Sequence, residues 1–328
     1  MNGYSEHVKN ALFDIKSSSI YANWIDKYLK FHDSYPPNTK HSSNLFLEFL
    51  TSISERYCAN TLWQCHSAVG KWLLMYENID IKSNILIKNF LKRKSKTHLE
   101  KKSLTLNEEN INDFLVNAPN NDNFLLIKCA MVVGISGLTR ISELTNLDFS
   151  NLKFSGDNYE FLISQSKTDL KKKGFTFIVV PPFSHYITNY VNVFPLELRK
   201  GRFFRKIING APSQAAVGKN TLASYPKLVA EFLGLENSEQ YTGHCLRRTG
   251  ATILADRGVS KITLKRAGRW TSDSVCDGYI AESSTSKLTI ANALVNQANN
   301  NNVSKSDNDK GVKNIYISNT TGNVVINL

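Results

Sequence analysis

The sequence predicts a mainly α-helical protein with one small antiparallel β-sheet, which is an α+β fold in two domains. Apolar residues recur at three- and four-residue spacing along most of the chain, as on amphipathic helices. Two short segments rich in aromatic and β-branched residues are typical of strands. A lysine-rich run near residue 100 separates two helical parts, and 328 residues are enough for two hydrophobic cores.

The first predicted domain covers residues 1–95 and is an all-helical bundle. Its segments place large apolar side chains, among them Trp24, Tyr28 and Leu62, on one face of a helix. The predicted helices are residues 20–31, 44–53, 60–76 and 84–94.

A basic linker is predicted at residues 96–104, which overlap a lysine-rich stretch that covers 88–102. The chain has 40 Lys+Arg against 28 Asp+Glu, a formal net charge of +12, which favours nucleic acid over a membrane surface as a polyanionic partner. A solvated helix end and a nuclear-import signal are alternative explanations of the stretch. The side chains expected to contact DNA phosphates here are Lys92, Arg93, Lys94 and Lys96.

The second predicted domain covers residues 105–295. It opens with Thr105 and Glu108, whose three-residue spacing predicts a capping box. A nearly all-apolar segment, residues 123–137, predicts a core helix. The remaining predicted elements are a β-hairpin with strands at 159–164 and 174–180, and helices at 183–194, 219–233, 244–257, 260–267 and 272–282.

Residues 296–328 are predicted to form a polar tail that ends in a short β-hairpin. The five cysteines include no CxxC pair, so neither a disulfide framework nor a zinc knuckle is indicated. No apolar run approaches the roughly 20 residues that span a bilayer, and the first residues lack the apolar core of a signal peptide. We therefore expect a soluble intracellular protein, nuclear in a eukaryotic host.

A set of polar and aromatic residues adjoins the apolar segments of the second domain in a distinctive order. His244 and Arg247 are spaced as i and i+3, so they share one face of a helix. Alone, such a pair is more often a solvated helix face, and a single tyrosine is more often an ordinary half-buried residue. The ordered set is Arg140, Lys167, His244, Arg247, Trp270 and Tyr279, with Glu143 three residues after the first arginine.

This ordered set resembles the tyrosine recombinase (phage integrase) family, through motifs and spacing over residues 103–290 and through layout over the first hundred. The resemblance implies a helical, SAM-like core-binding domain at 1–95 followed by a catalytic domain. It also implies a site-specific recombinase or integrase that cleaves and rejoins DNA strands through a 3′-phosphotyrosyl intermediate, without metal or ATP. The segments "GLTRISEL" and "GHCLRRTGAT" are similar, more narrowly, to the recombinases of Crypton-type transposons.

The resemblance assigns the phosphate-binding and proton-transfer roles. Arg140, Arg247 and His244 would hold the scissile phosphate, because planar guanidinium groups can neutralise its developing charge with paired hydrogen bonds. Lys167, in the turn of the predicted hairpin, would protonate the departing 5′-oxygen. Three further lysines follow in the same turn, so the assignment within the hairpin stays open.

The same resemblance assigns the nucleophile and its neighbours. Tyr279 would attack the phosphorus, with His244 drawing off its proton and the cationic pocket favouring the phenolate. Trp270 would donate its indole N–H to a phosphate oxygen and brace the tyrosine helix. Glu143 would orient His244 or Arg140, and Arg248 would contact the DNA backbone or remain a surface charge.

Two other classes of protein fit parts of the same pattern. A DNA-binding protein derived from a recombinase would keep the basic surface without turnover, and a type IB topoisomerase would use similar chemistry to relax supercoils. Recombinases of this family act as tetramers that pass a C-terminal element to a neighbour. We therefore expect a homotetramer on paired sites in double-stranded DNA, with no membrane partner.

Overall fold

The computed structural model describes residues 18–96, 102–164 and 174–300. The chain divides into two compact units between Lys101 and Lys102, inside the segment predicted as the linker. In the part of the chain that is described, no helix is both long and apolar enough to cross a membrane.

The first unit is helical, and its core is built from the amphipathic faces that the sequence predicts. Tyr28, Phe46 and Leu62 are fully buried at its centre. Ser42 starts the second helix by accepting a hydrogen bond from the backbone N–H of Leu45, at 3.1 Å. The helices are α1 (Ser18–His32), α2 (Ser43–Ile53), α3 (Ala59–Tyr76) and α4 (Ile85–Lys96).

The second unit combines helices with two small antiparallel sheets, and the α+β fold class is confirmed. Its elements are α5 (Glu108–Asn117), α6 (Asp122–Ser136), α7 (Ile141–Asn146), β1 (Leu152–Ser155), β2 (Asn158–Ile163), β3 (Phe175–Val179), α8 (Phe183–Val191), β4 (Arg205–Ile208), β5 (Ala211–Ala216), α9 (Lys219–Phe232), α10 (Cys245–Asp256), α11 (Lys261–Gly268), α12 (Asp273–Glu282) and α13 (Ser284–Asn300).

The predicted hairpin is present as β2 and β3, which pair antiparallel with Phe161 opposite Phe177. The sequence did not predict β1, which pairs with β2, or the two-stranded sheet of β4 and β5. The strands β1 and β5 are short and largely exposed, so they lack the apolar alternation on which a prediction depends. The strand β4 does alternate buried and exposed residues, but it has only four residues.

Two local predictions need correction. The capping box at Thr105 and Glu108 is wrong, because α5 begins two residues later than that pattern requires. Asn107 is the N-cap: its side chain accepts from the N–H of Asn110 at 2.7 Å, and the Asn110 side chain accepts from the N–H of Asn107 at 3.2 Å. At the other end α13 continues to Asn300, so the first residues of the predicted tail are helical, and the predicted terminal hairpin lies outside the described residues.

A close crossing of α6 and α10 positions the most important polar side chains. A Cβ on Gly250 would lie 2.4 Å from the carbonyl oxygen of Ile135, and one on Gly134 would lie 2.6 Å from a methyl of Leu246. Only glycine at both positions lets the two helix backbones come this close. The first two turns of α10 are therefore packed closely against the last turn of α6.

Candidate active site

The first part of the site is a buried carboxylate at the start of α7. Glu143 has 3% of its side chain exposed and lies 2.7 Å from the Nη1 of Arg140, whose side chain is 22% exposed. The Glu143 carboxylate also accepts from the backbone N–H of Arg140 at 2.9 Å. Burial by itself raises the pKa of Glu143, but Arg269 and Arg140 together bring that pKa below its ordinary value. The carboxylate is therefore ionised at neutral pH.

The second part is Arg247, which is buried on the first turn of α10. Its Nη1 donates to the carbonyl oxygen of Leu138 at 2.5 Å, and its Nη2 donates to the carbonyl oxygen of Gly268. Burial, and then the nearby charges of Arg140 and Arg269, lower the pKa of Arg247 to about 10. Arg247 thus stays charged at neutral pH, and two backbone carbonyls hold its planar guanidinium in one orientation.

His244 is the N-cap residue of α10 and is exposed. The pKa of His244 is lowered, first because part of the ring is withdrawn from water and then because Arg247, Arg140 and Arg248 are close. The imidazole is therefore neutral at pH 7, which is the state in which a histidine can accept a proton.

The third part is a stack of one guanidinium and two rings. The Cζ of Arg247 lies 5.1 Å from the centre of the Trp270 ring, and the Trp270 and Tyr279 rings are stacked with centroids 5.4 Å apart and planes 24° apart. The two rings pack on a small buried cluster that includes Leu138 and Leu264. Tyr279 therefore packs against the same tryptophan ring that contacts the buried Arg247.

The pKa of Tyr279 differs from the expectation that a cationic pocket would favour the phenolate. Arg248 and Arg247 do lower that pKa, but burial of the phenol has a larger effect in the opposite direction, and the pKa is raised. Tyr279 is therefore a neutral phenol at pH 7 and needs a base to become a nucleophile.

Some of the predicted site residues lie close together in the second unit, and others lie elsewhere or outside the described residues. Arg140, Glu143, Arg247 and the residues around them belong to the second unit, where the contacts above connect them. Lys167, the predicted general acid, lies outside the described residues, between β2 and β3. The predicted DNA-binding side chains Lys92, Arg93, Lys94 and Lys96 lie on the last two turns of α4 in the first unit, and Lys94 is 2.7 Å from Glu55.

Sequence reasoning missed Arg269, which lies next to Trp270 at the end of α11. Its Nη2 is 2.6 Å from the Glu143 carboxylate, and only 9% of its side chain is exposed. Glu143 was predicted to orient His244 or Arg140. Its carboxylate contacts Arg140 and also Arg269, which was not predicted. The only sequence signal is that Arg269 directly precedes Trp270, because its burial depends on contacts more than 100 residues away.

Arg248 lies one residue after Arg247 and is partly buried. Its Nε is enclosed and has no hydrogen-bond partner among the described residues. Its charge lowers the pKa of both His244 and Tyr279, so Arg248 lies near both residues. Within the same described residues, no group of three or more His, Cys, Asp or Glu side chains is arranged to hold a metal ion.

The chain has the fold of the tyrosine recombinases. Among solved structures it is similar to the XerH site-specific recombinase bound to a palindromic difH substrate, with a TM-score of 0.60 and 15% identity over 84% of this chain and 80% of that one. It is also similar to the Tn1549 transposon integrase in complex with transposon right end DNA, with a TM-score of 0.63 and 13% identity over 88% and 96% of the two chains.

A lambda integrase dimer bound to a core site is similar too, with a TM-score of 0.57 and 13% identity over 84% of this chain and 92% of that one. No protein-family model matches the sequence, and no curated protein matches it. The narrower likeness to Crypton-type transposons has no support in these comparisons.

Proposed function

We propose that the protein is a site-specific DNA recombinase that cleaves and rejoins strands through a 3′-phosphotyrosyl intermediate. The observation that carries the proposal is the Arg247–Trp270–Tyr279 stack, in which a candidate nucleophile and a buried guanidinium both contact the ring of Trp270. The structures with which it shares its fold support the same function, since they are recombinases and integrases bound to DNA.

Two arginines would hold the scissile phosphate. Phosphodiester cleavage places extra negative charge on the non-bridging oxygens, and a guanidinium stabilises that charge best when it is already fixed in position. Arg247 uses one N–H of each terminal nitrogen on a backbone carbonyl, and it has further N–H groups for a phosphate. Arg140, the more exposed of the two, would approach the phosphate from the α7 side.

The chemical step would begin with a neutral phenol and a neutral imidazole. The Tyr279 oxygen attacks the phosphorus while its proton passes to His244, whose lowered pKa keeps it able to accept that proton. The bond from phosphorus to the 5′-oxygen breaks, and Lys167 supplies a proton to the departing oxygen. The phosphotyrosyl bond conserves the energy of the phosphodiester, so the reverse reaction can join a new strand without ATP.

Double-stranded DNA is the proposed partner, and the basic end of α4 would add to its binding. Lys92, Arg93 and Lys96 form no ion pair among the described residues, so their charge is available to phosphates. Lys94 would contribute less, because its ammonium already lies against Glu55.

The enzyme is proposed to work as a homotetramer on paired sites. The helix that follows Tyr279, α13, exposes large apolar side chains that have no covering partner among the described residues: Leu288, Ile290, Leu294 and Val295. These would dock on a neighbouring subunit. Removing the chain beyond residue 284 is then expected to weaken assembly, measured by sedimentation, before it weakens DNA binding, and equal loss of both would contradict this assignment.

The experiment that tests the function uses a nicked suicide substrate, from which a short fragment leaves after cleavage so that the covalent intermediate accumulates. The wild type is expected to form a protein–DNA adduct that resists boiling in detergent, and Tyr279→Phe is expected to form none. Salt-dependent binding without any adduct would favour a non-catalytic DNA-binding protein. Supercoil relaxation by a monomer, with no recombinants between paired sites, would favour a topoisomerase.

A further inference from the structure

Arg269 connects the parts of the site that lie on different elements. It ends α11 in the left-handed conformation, with φ of 53°, and its side chain turns inward toward the α6–α7 turn. Nη1 donates to the carbonyl oxygen of Gly137 at 3.0 Å, and Nη2 donates to that of Leu138 at 3.1 Å. The Cζ lies 4.6 Å from the centre of the Phe175 ring on β3.

The Leu138 carbonyl oxygen accepts from two arginines, Arg269 and Arg247. Leu138 itself has φ of 44°, a conformation that non-glycine residues adopt only when their surroundings hold them in it. The neighbouring residue on α11, Gly268, supplies the second carbonyl that Arg247 uses. A shift of Arg269 would therefore move both acceptors that fix the guanidinium of Arg247.

The Glu143 carboxylate is likewise shared by two arginines. Its Oε2 lies 2.6 Å from Arg269, and its Oε1 lies 2.7 Å from Arg140. A buried carboxylate that had Arg140 as its sole cationic neighbour would cancel that guanidinium's charge more completely. With Arg269 present, the pair of arginines keeps a net positive charge beside the proposed phosphate site.

We propose that Arg269 is a positioning residue for strand cleavage, which acts by sharing the charge of Glu143 and so preserves the positive potential of Arg140 toward the phosphate. The inference rests on the proposed function. Arg269 does not need to touch DNA in this role, because it acts through Glu143 and through the Leu138 carbonyl.

The test compares single-turnover cleavage of two suicide substrates by the wild type and by Arg269→Gln. One substrate carries an ordinary scissile phosphate, and the other carries a methylphosphonate, in which a methyl group replaces one charged oxygen. On the phosphate we expect Arg269→Gln to be slower by about 10- to 100-fold, the usual cost of losing a partner that orients a reactive group. On the methylphosphonate we expect the difference to shrink to about threefold or less, because less charge remains to be stabilised.

Two further variants separate this role from a general loss of structure. Adding Glu143→Gln to Arg269→Gln removes the carboxylate charge, so the double variant is expected to recover part of the rate on the phosphate substrate. The matched control is Arg257→Gln, which removes an arginine that is exposed and paired with Glu108 on the surface, and it is expected to cleave at the wild-type rate within about twofold.

The proposal is overturned by an unchanged rate in Arg269→Gln, by an equal loss on both substrates, or by a double variant no faster than the single one. A wild type that forms no adduct contradicts the proposed function and this inference together. A wild type that cleaves, with an Arg269→Gln variant that cleaves equally well, contradicts this inference alone.

Discussion

Gly268 is the residue at which packing and chemistry can be tested with a single added methyl group. A Cβ at this position would lie 2.3 Å from two carbon atoms of the Trp270 ring and 2.5 Å from a third. Its φ is not positive, so the backbone conformation itself accepts alanine. The substitution Gly268→Ala therefore acts by displacing Trp270 from the position in which it contacts Arg247 and Tyr279.

The size of the effect follows from the geometry. Ordinary contacts lie at 3.4–4 Å, so the ring or the end of α11 must shift by about 1 Å. Overpacking of this kind costs about 1–3 kcal/mol in the free energy of unfolding. A displacement of about 1 Å in a catalytic group can lower the rate by about 100-fold. We expect losses of that order in stability and in adduct formation.

Chemical denaturation and the suicide-substrate assay measure the two effects, and Gly278→Ala is the matched control. Gly278 is inside α12, next to Tyr279, and a Cβ there would meet nothing within 4 Å. Alanine is the better helix former by about 0.5–1 kcal/mol, so Gly278→Ala should be as stable as the wild type or more so. A Gly268→Ala variant with wild-type stability and wild-type cleavage would refute the packing described for Trp270.

Four other predictions follow from the site. Arg247→Lys keeps the charge but loses two carbonyl bonds, so the free energy of unfolding should fall by about 2–4 kcal/mol and adduct formation should be lost. The wild-type rate should fall only as pH drops through the pKa of His244, below its ordinary 6.5, and His244→Gln should remove that acidic limb of the pH profile. Arg248→Ala should slow adduct formation, because the pKa of the attacking phenol rises, whereas Arg257→Ala should not. Lys92→Ala should weaken DNA binding equally across sequences and reduce the slope of log K against log salt by about 1. An unaltered value in any of these measurements would contradict the corresponding assignment.

The helices were predictable because each buries a continuous apolar stripe. The stripe of Trp24 and Tyr28 and the all-apolar face of α6 specify helices whatever their neighbours are. The strand β5 has the sequence APSQAA, which carries no such pattern, and it forms because β4 pairs with it. Structure that depends on a partner strand leaves little trace in the local sequence.

The candidate site was predictable as a set of residue types and only partly as a set of contacts. The order of Arg140, His244, Arg247, Trp270 and Tyr279 indicates one chemistry. The contacts were not predictable, because they join helices that meet only in the folded chain. Examples are the ion pair of Arg269 with Glu143 and the hydrogen bonds from Arg247 to the carbonyl oxygens of Leu138 and Gly268. The raised pKa of Tyr279 was not predictable either. Burial of the phenol raises this pKa by more than Arg248 and Arg247 lower it, and burial is set by the folded structure.

The proposed function requires that Tyr279 becomes covalently linked to the 3′-phosphate of a cleaved strand. The most direct measurement is to trap wild-type protein on a suicide substrate labelled on the 5′ side of the break, digest the DNA and the protein, and identify the modified peptide by mass spectrometry. We predict that the labelled strand stays with the protein and that a nucleotide 3′-phosphate is bonded to Tyr279. A nucleotide on any other residue, or a link to the 5′ end of the break, would contradict the proposed function.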